Sequence, residues 1–146
     1  MSESALLSLA ERLGRSLCGG EFIELIGDVG AGKTTFTRGL ARGLGIIDDI
    51  QSPTFTISRI YATSDGRRLA HYDFYRLQDA GILAMEIEET LQDNQTITVV
   101  EWGEIVAGVL PENRITIHLV ASSEDARDIC IFANGEHETV VMEQLL

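Results

Sequence analysis

The sequence predicts an α/β domain with a mostly parallel central sheet extended by antiparallel strands, and three observations carry that expectation. Helical and extended patterns alternate along the first hundred residues. A short strand pattern runs directly into the glycine-rich stretch GDVGAGKT at 27–34 and then into a helix. Two alternating segments near the carboxyl end follow one another with only a polar stretch between them. Strands interleaved with helices build parallel sheets, and strands joined by short polar turns build antiparallel pairs. The chain has 146 residues, 45% of them hydrophobic, with 14 glycines and only 2 prolines. That is the size and composition of one folded domain, so residues 1–146 are read as a single domain.

The elements follow in order. ESALLSLAERLGRSL at 3–17 spaces Leu6, Leu9, Ala10, Leu13 and Leu17 three and four residues apart, the stripe of an amphipathic helix, and Gly19 and Gly20 end it. EFIELIG at 21–27 reads as a short strand. After Lys33, TTFTRGLARGLG reads as a helix with Phe36, Leu40 and Leu44 on its apolar face, closed by Gly45. IDDIQSPTF at 47–55 carries turn and extended signals, because Pro53 pushes Ser52 away from helical angles. TISRIYA and RRLAHYDFY flank the turn TSDG and predict an antiparallel pair. A helix or two is expected between Leu77 and Gln92. TITVV at 96–100 is apolar on both faces, as a central strand must be. EIVAGVL predicts a short helix before Pro111, and RITIHLV and DICIFA, separated by ASSEDAR, predict a final antiparallel pair.

Charge and cysteine content limit the function classes. The net charge is -12, from 11 Lys and Arg against 23 Asp and Glu. Such an excess repels nucleic-acid phosphates and anionic membranes, so any role near RNA is expected to be indirect. Cys18 and Cys130 fit no C-x-x-C or zinc spacing and are read as buried or idle thiols. The acidic start MSESALLSLAERL lacks the basic region of a secretory signal, and no apolar run reaches membrane-spanning length. A cytoplasmic protein without membrane contact is expected.

Gly27, Gly30, Gly32, Lys33 and Thr34 satisfy G-x-x-x-x-G-K-[ST], the Walker A pattern, which makes the expected domain a P-loop NTPase. The glycines let the backbone curl so that its N–H groups, from Asp28 through Ala31 to Lys33, point at a phosphate, and the following helix adds the positive end of its dipole. Val29 completes the loop. Lys33 would meet the outer phosphates, Thr34 would offer its hydroxyl to Mg²⁺, and Thr35 could contact an inner phosphate. Turnover needs acids as well, and Asp73 in LAHYDFYRL and Glu101 in TVVEW each end a predicted strand, where ligands of parallel sheets bind. Either could hold the metal or orient water. Thr54, Trp102, His71 and Arg76 are open between functional and structural roles. Thr54 is a switch-like hydroxyl or a turn residue, Trp102 a stacking or core ring, His71 a base or a structural histidine, and Arg76 a charge stabiliser or an exposed arginine.

Four segments in this order, GDVGAGKTTFTRGL, SPTF, HYDFYRL and VVEWGE, resemble the bacterial tRNA threonylcarbamoyladenosine biosynthesis ATPase family, the TsaE type. The resemblance runs from about Phe22 to Trp102, and ENRITIHLV with the arginine before DICIFANG is similar to the family's carboxyl-terminal strands. Val29 replaces a frequent leucine, and Gly103 stands where proline or another small residue is common. The resemblance implies an ATP-binding, Mg²⁺-dependent hydrolase that supports threonylcarbamoyl attachment to tRNA without performing the transfer, acting with TsaD and TsaB and meeting tRNA only through them. It assigns Gly27, Gly30, Gly32 and Lys33 to the phosphate loop and Thr34 to magnesium. Thr54 takes the switch position, and Asp73 and Glu101 lie near magnesium or the attacking water, with Trp102 adjoining. Lys33, Asp73 and Glu101 form the expected catalytic set. Two rival readings of the phosphate loop are a small-molecule kinase, for which no arginine-rich lid is visible, and a nucleotide-controlled binding protein with negligible catalysis.

Overall fold

A computed structural model describes residues 1–50, 58–74, 81–102 and 108–145. Their elements are α1 (Glu3–Ser16), β1 (Phe22–Ile26), α2 (Lys33–Gly43), β2 (Ser58–Ala62), β3 (Arg68–Asp73), α3 (Ile82–Leu91), β4 (Thr96–Glu101), β5 (Arg114–Ala121), β6 (Arg127–Asn134) and α4 (Glu136–Glu143). The six strands form one sheet in the order β2-β3-β4-β1-β5-β6. β3, β4, β1 and β5 run parallel, while β2 and β6 are the antiparallel edges. This is the mostly parallel sheet with antiparallel extensions that the alternating patterns imply, and β2 and β3 pair as the expected hairpin.

Strand alternation sorts side chains into two layers. On one face Ile23 and Leu25 of β1, Leu69 of β3, Ile97 and Val99 of β4 and Ile115 and Ile117 of β5 pack against α1, α2 and α4 through Leu6, Leu13, Phe36, Leu40 and Val141. On the other face Phe22, Ala70, Tyr72 and Val100 meet Ile87 of α3. The central strands are apolar on both sides because both faces are covered. β6 alternates half-buried with exposed residues, as an edge covered on one side does.

α1 and α2 cross at backbone distance. A methyl group on Gly43 would lie 2.2 Å from the Glu11 carbonyl oxygen, and one on Gly39 would lie 2.6 Å from Ala10 Cβ. α1 begins at Ser2, whose hydroxyl accepts the Ala5 N–H at 3.1 Å. α2 ends in a Schellman arrangement: Gly45 is left-handed at φ 76, its N–H donates to Arg42, and Ile46 N–H donates to Ala41. Gly45 thus closes the helix as its position predicts.

The structure departs from the sequence reading in several places. α4 was not expected: it has glycine rather than a side-chain cap before it, and only eight residues. Tertiary contacts hold it, through buried Val141 and Leu145 and through His137, whose Nε2 bonds Glu21 Oε2 at 2.7 Å. α1 stops at Ser16, with an extended Leu17 as its cap and the two glycines beyond. Cys18 and Cys130 are exposed, which corrects the buried alternative of the expected buried or idle thiols, since Cys18 follows the helix end and Cys130 faces outward on edge strand β6. Thr54 with the rest of SPTF, Arg76, Gly103 and the first part of EIVAGVL lie outside the described residues. Among the described residues no helix is long and apolar enough to cross a membrane.

Candidate functional site

β1 lies between β4 and β5, so the loop after it emerges at the carboxyl ends of the parallel strands, where ligands of such sheets bind. The loop needs its glycines for two different reasons. Gly32 has φ 105 and stands directly before Lys33, a backbone region that disfavours any side chain. A side chain on Gly27 would approach the Leu119 carbonyl oxygen of β5 to 2.6 Å. Ala31 N–H donates to the Asp28 carbonyl at 3.0 Å and completes the tight turn.

Lys33, the first residue of α2, is buried and folds back over the loop. Its Nζ donates to the carbonyl oxygens of Gly27 and, at 3.2 Å, of Asp28. The same ammonium lies 4.4 Å from the centre of the Trp102 ring, a cation–π distance. Trp102 reaches that position with φ 58, the single non-glycine residue with positive φ among the described residues. Such a backbone costs free energy and tends to mark functional sites.

The two acids meet because of strand register. Asp73 and Glu101 are direct partners at the ends of parallel β3 and β4, and Glu101 also pairs with Leu25 just before the loop. Both are buried, at 6% and 2% exposure. His71 lies two residues before Asp73 on the same strand, and its Nε2–H donates to Glu101 Oε2 at 2.5 Å. Phe74 N–H donates to the Glu101 carbonyl at 3.1 Å and carries the register past the strand end.

These residues surround a cleft of about 710 Å³. Val29, Gly30, Gly32, Lys33, Thr34 and Thr35 form one wall, and Asp73, Glu101 and Trp102 form another. Gly27 and Asp28 contribute carbonyls to Lys33 rather than lining, and the side chain of Ala31 points into the core. The sequence motifs missed the remaining walls: Ser2, Glu3, Ser4 and Leu6 at the start of α1, and Glu124, Asp125 and Arg127 around the β5–β6 turn. Arg127 joins the two, because its backbone exchanges hydrogen bonds of 2.7 Å with Met1 in both directions. No short motif could reveal this pairing, which lies 126 residues apart in the chain.

The donor set of the cleft is made of hard oxygens, a hydroxyl from Thr34 and carboxylates from Asp73 and Glu101. Mg²⁺ prefers such donors, using one or two carboxylates with phosphate oxygens and water for the rest. Lys33 and the amino end of α2 favour a polyphosphate. Chemically, the cleft can hold a phosphate chain with its metal beside a fixed carboxylate.

Comparison with known proteins agrees with this architecture. The family model described as threonylcarbamoyl adenosine biosynthesis protein TsaE matches residues 1–129. The chain is 39% identical over 131 residues to the tRNA threonylcarbamoyladenosine biosynthesis protein TsaE of Bacillus subtilis, covering 86% of this chain and 78% of that one. It is 40% identical over 124 residues to the protein of the same name from Streptomyces coelicolor, covering 82% of each. The crystal structure of Bacillus subtilis YdiB superposes with a TM-score of 0.80 at 31% identity, over 99% of this chain and 89% of that one. Because the match spans the glycine loop, both acid-bearing strands and the sheet that brings them together, the chain belongs to the TsaE family.

Proposed function

We propose that this chain is the ATP-hydrolysing subunit that supports threonylcarbamoyladenosine formation in tRNA, working with TsaD and TsaB and leaving the threonylcarbamoyl transfer to them. The observation that carries the reading is the meeting of Lys33, Thr34, Asp73 and Glu101 around one cleft beside the phosphate loop. Family membership supplies the biosynthetic context. In this reading Lys33 exchanges the Gly27 and Asp28 carbonyls for phosphate oxygens, while the loop N–H groups and the α2 dipole take up the remaining charge.

Thr34 and Asp73 would hold Mg²⁺, with Glu101 at the neighbouring strand end close enough to share it. The ion would draw negative charge from the terminal phosphates. Glu101 orients a water molecule whose oxygen bonds to the γ-phosphorus as the bond to the bridging oxygen breaks, giving ADP and phosphate. The proton released by that water passes to the Glu101 carboxylate. Burial keeps Glu101 away from bulk solvent, so its orientation is held by the protein. Trp102 packs over Lys33 and limits the paths open to the ammonium. The net charge of -12 supports a contact with tRNA that runs through the partner proteins.

The test is phosphate release from ATP and Mg²⁺ by the purified chain, alone and mixed with TsaB and TsaD. Slow release alone and faster release in the mixture, together with co-elution of the three proteins, is the expected result. Absence of both association and stimulation would remove the reading. Transfer of the phosphoryl group to a metabolite instead of water would favour a kinase.

A further inference from the structure

His71 occupies a position that packing alone does not explain. It is fully buried on the strand face that carries Leu69, and across the β3–β4 pair that face continues through Ile97 and Val99. An aliphatic side chain at 71 would extend this layer with no polar group to satisfy. Among the described residues the imidazole instead makes one hydrogen bond, from Nε2–H to Glu101 Oε2 at 2.5 Å, and leaves Nδ1 buried with no partner. A buried polar atom without a partner loses its hydration and gains nothing in return, which disfavours the folded state. The compensating gain is therefore located at Glu101, an acid that lines the cleft and has no other side-chain bond among the described residues.

We infer that His71 is a positioning residue for Glu101: its Nε2–H pins one carboxylate oxygen so that the other faces the cleft. The inference rests on the hydrolase reading and deepens it by assigning the group that aims the carboxylate. Strand geometry fixes the aim twice, since register places Asp73 opposite Glu101 and alternation puts His71 on the same face as both. Without the imidazole the Glu101 side chain regains its rotamers in a buried place, and fewer molecules hold it in reach of the water.

The conservative variants separate positioning from packing. Glutamine can set an amide N–H near the place of Nε2, whereas asparagine is shorter and cannot. With TsaB and TsaD present, His71→Asn should lower turnover about 10- to 100-fold, the usual effect of losing an orienting partner, and His71→Gln should recover most of it. Nucleotide affinity, read by quenching of the single tryptophan Trp102, should stay near wild type in both, so the effect falls on kcat and not on KM. A readout free of nucleotide is NMR of histidine-labelled protein, where the buried His71 Nε2–H should exchange slowly in wild type and lose that protection in Glu101→Ala. Thermal melts identify any variant that fails to fold, and the NMR comparison then stands without it. Equal turnover in wild type, His71→Asn and His71→Gln would overturn the role of His71 alone. A wild-type chain that releases no phosphate under any condition would overturn the hydrolase reading and this inference with it.

Discussion

At the scale of single residues, the proposed function separates groups of the cleft that bind from groups that turn over. Lys33 is held by the loop carbonyls and lies against Trp102, and in the proposed function it places its charge on phosphates. Charged hydrogen bonds are each worth about 1.5–3 kcal/mol, so Lys33→Ala should weaken ATP binding about 10- to 100-fold. In the proposed function Glu101 orients water, so Glu101→Ala should leave affinity nearly unchanged and reduce turnover about 100-fold or more, the range for a lost general base. Trp102 quenching and phosphate release, measured on the same samples, check both outcomes. A Glu101→Ala variant turning over at the wild-type rate would remove it from the catalytic set. Much of this site was legible in the sequence. The loop residues are contiguous and follow a fixed spacing, and Asp73 and Glu101 each end a strand pattern. His71 was visible only as an undecided histidine, although its two-residue spacing from Asp73 places both on one face. What brings it to Glu101 is the pairing of β3 with β4, a contact 30 residues apart that no local pattern contains.

At the scale of elements, the crossing of α1 and α2 shows how packing reverses a local preference. Glycine inside a helix is ordinarily about 1 kcal/mol worse than alanine. At Gly43 a methyl group would instead meet the backbone of α1, at Glu11 O and Arg15 N. Overpacking of this kind costs about 1–3 kcal/mol, so Gly43→Ala should lower the melting temperature by about 3–10 °C. A rise in melting temperature would mean that the helices can move apart freely. The sequence showed the helix and its apolar stripe but not why two glycines lie within it. At the opposite end of the sheet from the cleft, polar side chains fasten the loops. Glu21 accepts the N–H groups of Cys18 and Gly19, each at 2.7 Å, as well as His137. Asp93 receives the Gln95 N–H and the Thr96 hydroxyl, each at 2.9 Å, and its pKa is lowered by the backbone bond first and the side-chain bonds after it. Structural acids thus lie at the amino ends of the strands and cleft acids at the carboxyl ends.

At the scale of the whole molecule, stability depends on pH through groups whose ionisation differs between folded and unfolded chains. The Tyr72 phenol is pushed above its ordinary value of 10.0, chiefly by burial and also by nearby Glu86, against the opposing bond to Thr90. Above about pH 10 the unfolded chain therefore releases a proton that the folded chain retains, so this contribution is present below that pH and is lost as pH rises. Melting temperatures between pH 9 and about 11 should fall more steeply for wild type than for Tyr72→Phe, and parallel curves would dismiss the effect. The carboxyl of Asp93, lowered by its hydrogen bonds, acts in the opposite direction: its contribution holds above its ordinary value of 3.8 and is lost as pH falls through the depressed pKa. The sequence by itself determined the phosphate loop, the strands and the layered α/β class, because those follow from spacing and periodicity within short windows. It also determined the acidic balance. Only the tertiary structure decided that Asp73 and Glu101 face one another, that His71 holds Glu101, and that α1 and the β5–β6 turn wall the cleft. Those facts depend on strand order and register, which join distant segments through hydrogen bonds and burial that no single segment encodes.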